Sequence, residues 1–260
     1  MNNNQLLKKL DIVFLVVFPL IATVTALFLK TNFLFTTLLF FGLPSVWFSL
    51  RTPRLVGKTA LFSFAITISF MLIIDYIVTY DHGWWDSTMF SSRLFGILPY
   101  EDLIWAFFQV YVVVIFYEHF LEKGKHPLIY RQFRYLIYII TIILLAFFTA
   151  LTLKPSLLHI SFAYFWVLFL LGILPIITFI SKFPRLLGKF LKTAVYFFYL
   201  NVLFEFAGLK LGNWVFPGQN YIGTINFFGN TVPYEEIIAW WMLIAVGILT
   251  YYEFFDDDRK

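Results

Sequence analysis

Eight apolar runs, each about 18 to 24 residues long, can be placed at 10–29, 33–50, 59–80, 99–121, 131–153, 158–180, 190–207 and 233–255. Each is long enough to cross a hydrocarbon core of roughly 30 Å as a helix. Strands of a membrane barrel would be about ten residues long with strict alternation, and none of these runs alternates. Composition agrees: 61% of the residues are hydrophobic, 13% are charged and mean hydropathy is +0.82, far outside the soluble range. The chain is therefore expected to be all-α, a polytopic membrane bundle of eight spans. No cleavage site can be separated from the first run, which reads as a retained helix. With no cysteine in the chain, disulfides, thiolate metal sites and cysteine nucleophiles are excluded.

The cations choose an orientation. With a cytoplasmic N-terminus, Lys8 and Lys9, Arg51, Arg54 and Lys58, then Lys123, Lys125, Arg131 and Arg134, all fall inside. Lys182, Arg185, Lys189 and Lys192, and finally Arg259 and Lys260, join them. Only Lys30, Arg93, Lys154 and Lys210 fall outside. The positive-inside rule thus expects both termini in the cytoplasm, with a prokaryotic inner membrane as the setting.

The spans also repeat. Pro44, Pro53, Arg54, Gly57 and Lys58 recur at Pro175, Pro184, Arg185, Gly188 and Lys189, each displaced by 131 positions. Asp75 then matches Glu205 and Trp84 matches Trp214 at 130, while Pro99, Tyr100 and Glu101 match Pro233, Tyr234 and Glu235 at 134. The expected division is 1–125 for spans 1–4 and 126–260 for spans 5–8. Four spans per unit is even, so the copies point the same way and are related by an axis along the membrane normal.

Chemistry concentrates where the repeat opens its last span. Leu98-Pro99-Tyr100-Glu101-Asp102 and Val232-Pro233-Tyr234-Glu235-Glu236 each place two adjacent acids in the first turn of a span, with proline starting the helix. Acids there complement the helix macrodipole. Their recurrence, with Asp75 and Glu205 at a similar depth, asks for more than a dipole. So many carboxyls with few cations nearby imply that at least one carries a proton. Trp105, Phe107, Phe108, Trp240, Trp241, Tyr100 and Tyr234 could supply aromatic faces to a cation. The loops 81–98 and 208–232, with Trp84 and Trp214, could fold back over the acids. A protonated carboxyl in a dry aromatic cavity suits protonation of an alkene and shelter of the carbocation.

These residues carry a family resemblance. Asp75, Gly83-Trp84-Trp85, Gly96 and Leu98 to Asp102, with Phe107, Phe108, Gln109 and Tyr117 downstream, resemble the repeat of the integral-membrane lycopene cyclases. Trp214, Gly223 and Val232 to Glu236 resemble the partner domain. The resemblance covers about 70–121 and 200–255. It implies an isomerase-type, redox-neutral cyclisation of a carotenoid end, with no cofactor and no metal. An acid protonates C2 of the terminal double bond, C5=C6 attacks the C1 cation, and proton loss closes a β- or ε-ring. By position Glu101 and Glu235 match the first motif acid, and Asp102 and Glu236 the second. Asp75 and Glu205 are expected as proton partners or bases. Tyr100, Tyr234, Trp84, Trp105, Phe108, Trp214 and Trp240 are expected around the cation. The implied partners are a lycopene-like substrate in the bilayer and other carotenoid-pathway enzymes, with no nucleic acid.

Three alternatives stand beside this reading. A carotenoid hydratase shares the protonation and lets water take the cation. A prenyltransferase needs Asp-rich clusters along a helix for Mg²⁺ and diphosphate, and Asp256-Asp257-Asp258 lies in the tail instead. A proton-coupled transporter would use repeats and intramembrane acids as well, with broken helices near the midplane. No Gly-x-Gly-x-x-Gly fingerprint for a nucleotide cofactor is present. His82, His119, His126 and His159 have no metal-ligand spacing and read as interfacial, as do Glu118, Glu122 and Glu253 at the far ends of spans 4 and 8.

Overall fold

The computed structural model describes residues 3–122 and 133–255. The 125/126 boundary between repeats, Lys123, Lys125, His126, Arg131 and the stretch 256–260 lie outside the described residues. Among the described residues eight helices are long and apolar enough to cross a membrane, as expected for an all-α polytopic bundle. Spans 1 to 4 are Lys9–Leu29, Phe33–Arg51, Pro53–Tyr80 and Tyr100–Glu122; spans 5 to 8 are Arg134–Leu153, Ala163–Lys182, Pro184–Leu211 and Tyr234–Phe254. Span 4 is the central helix and packs on spans 2, 3, 7 and 8. Span 1 packs on span 2 of its own half and also lies along span 7 of the other.

Spans 3 and 7 begin earlier than hydropathy suggests. Each opens with a 3-10 turn, Pro53–Leu55 or Pro184–Leu186, and continues straight through Lys58 or Lys189. The Lys58 ammonium is buried because it donates to Glu118 at 3.2 Å, and Lys189 donates to Glu122. A hydropathy profile counts a lysine as an interruption, whereas a paired lysine can sit inside a span.

The backbone repeats as the prolines do. Leu43–Arg51 and Leu174–Lys182 are helices displaced by 131, each preceded by a π-helical stretch, Leu38–Gly42 or Leu168–Ile173. Proline explains both: Pro44 and Pro175 lack an N–H and crowd the carbonyl four residues back. In the second half that carbonyl, on Leu171, accepts the Tyr251 hydroxyl at 2.9 Å instead.

Two exchanges mark the axis between the halves. At one end the loops meet in an antiparallel ribbon that pairs Trp85 with Val215, residues equivalent at displacement 130. Residues that pair with their own counterparts lie on the twofold axis. At the other end the Tyr117 hydroxyl donates to Glu253 while Tyr252 donates to Glu118. That is one contact made twice at displacement 135. The axis therefore runs along the bundle from loop end to far end. Glu118, Glu122 and Glu253 are buried, which corrects their reading as interfacial. His119 is also drawn in, with Nε2 3.1 Å from an Asp11 carboxylate that Trp47 and Arg51 hold as well.

Candidate active site

Two acid–tryptophan pairs frame the loop end of the axis. The Trp84 indole N–H donates to Asp75 Oδ1 at 2.8 Å, and the Thr79 hydroxyl reaches the same oxygen at 3.1 Å. Trp214 repeats this toward Glu205 Oε2 at 3.0 Å. Both pairs span nine residues because the chain reverses directly at the helix end. Gly212 supplies the reversal after span 7 with φ of +67°. Gly208 lets the Trp214 ring lie flat on the helix, since a Cβ there would come within 1.8 Å of it.

Spans 4 and 8 start at Tyr100 and Tyr234, with Pro99 and Pro233 as the capping residues just before the first turn. The acids that follow diverge by about 100° around the helix, and the structure separates their tasks. Glu101 Oε1 turns outward to accept the backbone N–H groups of Met89 and Phe90 at 2.8 and 2.9 Å. Glu235 Oε1 accepts that of Ile222 at 2.7 Å. Each first motif acid thus fastens its own loop to its own helix. Asp102 and Glu236 turn inward.

Inward lies a cavity walled by Asp75, Asp86, Asp102, Glu205 and Glu236 together with Trp84, Trp105, Trp214, Trp240, Phe33, Phe204, Phe216 and Met71. The Asp102 carboxyl lies within hydrogen-bonding reach of both Asp75 and Asp86, and Glu205 of Glu236. Neither Asp102 oxygen meets an N–H or O–H donor among the described residues. Two carboxyls so placed bond only when a proton lies between them. Glu236 in addition receives the hydroxyl of the buried Tyr164.

Among the described residues no cation lines the cavity. Arg93 is nearby, but its guanidinium donates to the carbonyls of Asp86 and Ile97 at 2.7 and 2.9 Å and stacks over Trp85. Burial first, then the neighbouring Asp75 carboxyl, pushes Asp86 in the loop up to about 8. Among the described residues no His, Asp and Glu side chains converge as a set that could hold a metal ion.

The expected residues therefore divide. Asp102, Glu236, Asp75, Glu205, Trp84, Trp105, Trp214 and Trp240 meet at the cavity. Glu101 and Glu235, the first motif acids, do not line it. Tyr100 and Tyr234 are 39% and 44% exposed on the outer turn of their helices. Phe108 packs edge-on against Phe107, outside the cavity.

Sequence reasoning missed Asp86 and Tyr164. Asp86 falls opposite Phe216 at displacement 130, and Tyr164 opposite Phe33 at 131, so both are breaks in the repeat. A search for residues shared by the halves passes over them. The cavity is consequently lopsided, with three carboxyls from the first half and two from the second, one of which accepts the Tyr164 hydroxyl from behind the lining. Compared with protein-family models, curated proteins and solved structures, the chain matches none.

Proposed function

We propose that the chain is a lycopene-cyclase-like enzyme that closes a ring at an acyclic isoprenoid end by proton donation to a terminal alkene. One observation carries the reading: five carboxyls face one aromatic-walled cavity with no cation among the lining residues. Asp102 is the proton donor in this scheme, because the groups within hydrogen-bonding reach of its carboxyl are the carboxyls of Asp75 and Asp86. Its proton goes to C2 of the terminal double bond, the π electrons of C5=C6 close the ring onto C1, and loss of a proton from the ring restores an alkene. One proton enters and one leaves, so the step is redox-neutral. Asp75, fixed as an acceptor by Trp84 and Thr79, is suited to re-protonating Asp102. The Glu205–Glu236 pair across the cavity is placed to take the departing proton. The indole faces of Trp84, Trp105, Trp214 and Trp240 stabilise the cation without a lone pair to capture it.

The same reading gives the chain its place in the membrane. With the lysine- and arginine-rich end cytoplasmic, both termini are inside, as expected for a prokaryotic inner membrane, and the cavity lies in the outer leaflet, where a carotenoid end is within reach.

The deciding experiment is expression in a lycopene-accumulating host with pigment analysis. Ring-bearing product is expected from the unaltered chain. Asp102→Asn should lose conversion by about 10²- to 10⁴-fold, the usual contribution of a general acid. Unchanged lycopene, with the protein present and folded, rejects the reading; a hydroxylated acyclic product assigns the cation to water and makes the chain a hydratase.

A further inference from the structure

A second cavity, larger than the first and almost wholly apolar, adjoins it and shares Met71, Trp105 and Trp240 with it. It runs along the bundle between spans 3, 4, 6 and 8, lined by Ile66, Phe70, Leu171, Gly172, Gly247 and Tyr251 among others, with Gln109 as its amide. Phe70, Leu171, Gly172 and Gly247 are each partly exposed, so the groove opens sideways on the bundle face that would meet lipid.

The pseudo-twofold axis requires a matching groove between spans 2, 4, 7 and 8, and there the space is filled. Leu171 and Gly172 correspond at 131 to Phe40 and Phe41, which are fully buried and pack edge-on against Phe204 with ring centres 5.6 and 4.7 Å apart. Ile66 corresponds to Phe197, also buried. Gly247 corresponds at 135 to Val112, fully buried.

We infer that the open groove holds the hydrocarbon chain of a linear isoprenoid whose end sits in the acid cavity, and that Phe40, Phe41 and Phe204 plug its counterpart, so the substrate enters from one side of the axis only. The continuity of the two cavities, the apolar lining and the lateral opening all fit an occupant that arrives from the bilayer. The identity of the occupant rests on the cyclase reading; the asymmetry rests on geometry alone.

Two readouts on the full-length protein separate these. An all-trans polyprenyl hydrocarbon carrying an alkyl diazirine is photolysed on the purified protein in detergent, and the labelled peptides are mapped. Labels are expected on spans 3, 6 and 8 around Phe70, Gly172 and Gly247. Gly247→Phe should cut labelling and pigment conversion together by about tenfold or more, while elution and melting stay those of the parent, since a Cβ at 247 meets no other atom within 4 Å. Gly172→Phe provides a second block from the facing span, where the nearest atom to a Cβ is the Leu168 side chain at 3.6 Å.

Labels on spans 2 and 7 around Phe40 and Phe41, or labelling that persists in both blocked variants, overturn the inference. If the groove labels and blocks as expected but no pigment is converted, the groove stands and the cyclase reading falls. If pigment is converted at the parental rate by both blocked variants, the cyclase reading stands and the groove falls.

Discussion

At the scale of single residues, the adjacent acids of span 4 give opposed expectations. Glu101 is an acceptor of two loop N–H groups, and Glu101→Gln keeps a carbonyl oxygen that can accept them. It should cost about 1 kcal/mol of stability or less, the scale of one hydrogen bond, with conversion per folded molecule nearly unchanged. Asp102→Asn should do the reverse, losing conversion and keeping the melting temperature. Measuring both quantities on both variants separates fastening from proton donation, and equal loss of conversion in the two would remove the distinction. Asp86 supplies the pH dependence. Three carboxyls face it, Asp75 from span 3, Asp102 from span 4 and Glu236 from span 8, with Arg93 from its own loop. The unfolded chain holds an aspartate at about 3.9, and the fold raises this one to about 8. Between those values the folded state binds the extra proton, so this group's contribution to stability is complete below pH 4, falls as pH rises, and is gone above 8. Asp86→Asn is permanently neutral. It should therefore melt higher than the parent at pH 9 and lose much of its advantage at pH 6, as read by thermal unfolding in detergent.

At the scale of elements, the π-helical stretch Ile237–Leu243 in span 8 explains a small irregularity of the repeat. The displacement is 134 at Pro99 and Pro233 but 135 at Tyr117 and Tyr252, and a π turn takes up one residue more than an α turn. The widened turn carries Trp240 into the cavity, where its ring meets Trp105 and Trp84 edge-on. Its displaced carbonyl, on Trp240, accepts the Asn201 amide of span 7 at 2.8 Å. Asn201→Leu removes that donor. It should lower conversion by about tenfold through misplacement of the indole, with the substrate concentration for half-maximal rate changed less than the maximal rate. Restoration of the parental rate by Asn201→Gln would support the hydrogen bond as the cause. What the sequence could and could not show is clearest at this scale. The eight spans, the proline pairs and the acid–tryptophan spacing were all legible, because hydropathy and displacement are properties of a string. Which of two neighbouring acids turns inward depends on where the loop's N–H groups end up. That follows from the fold of loops with little periodicity, so the string does not distinguish Glu101 and Glu235 from the acids beside them. The inward facing of Glu118, Glu122 and Glu253 was hidden for a similar reason, since their partners come from other spans.

At the scale of the whole molecule, the two exchanges on the axis do different work. The ribbon at the loop end closes the cavity, whereas the Tyr117–Glu253 and Tyr252–Glu118 contacts at the far end join span 4 to span 8 below it. Fifteen residues of helix separate Asp102 from Tyr117, about 22 Å at the usual rise. The far-end cluster is thus too distant to touch a group in the cavity, and its role is to hold the halves in register. Tyr117→Phe should cost about 1.5–3 kcal/mol, the scale of a hydrogen bond to a charged group left unmade. Tyr252→Phe, which removes the matching contact to Glu118, should cost a similar amount. The two contacts share one helix pair, so the double variant should depart from additivity by 0.5 kcal/mol or more, about the lower bound for coupled neighbours. Conversion per folded molecule should stay at the parental value in all three. A normal melting temperature combined with lost conversion in Tyr117→Phe would instead tie the far end to the chemistry, and the cluster would then be a route for protons along the axis rather than a fastening.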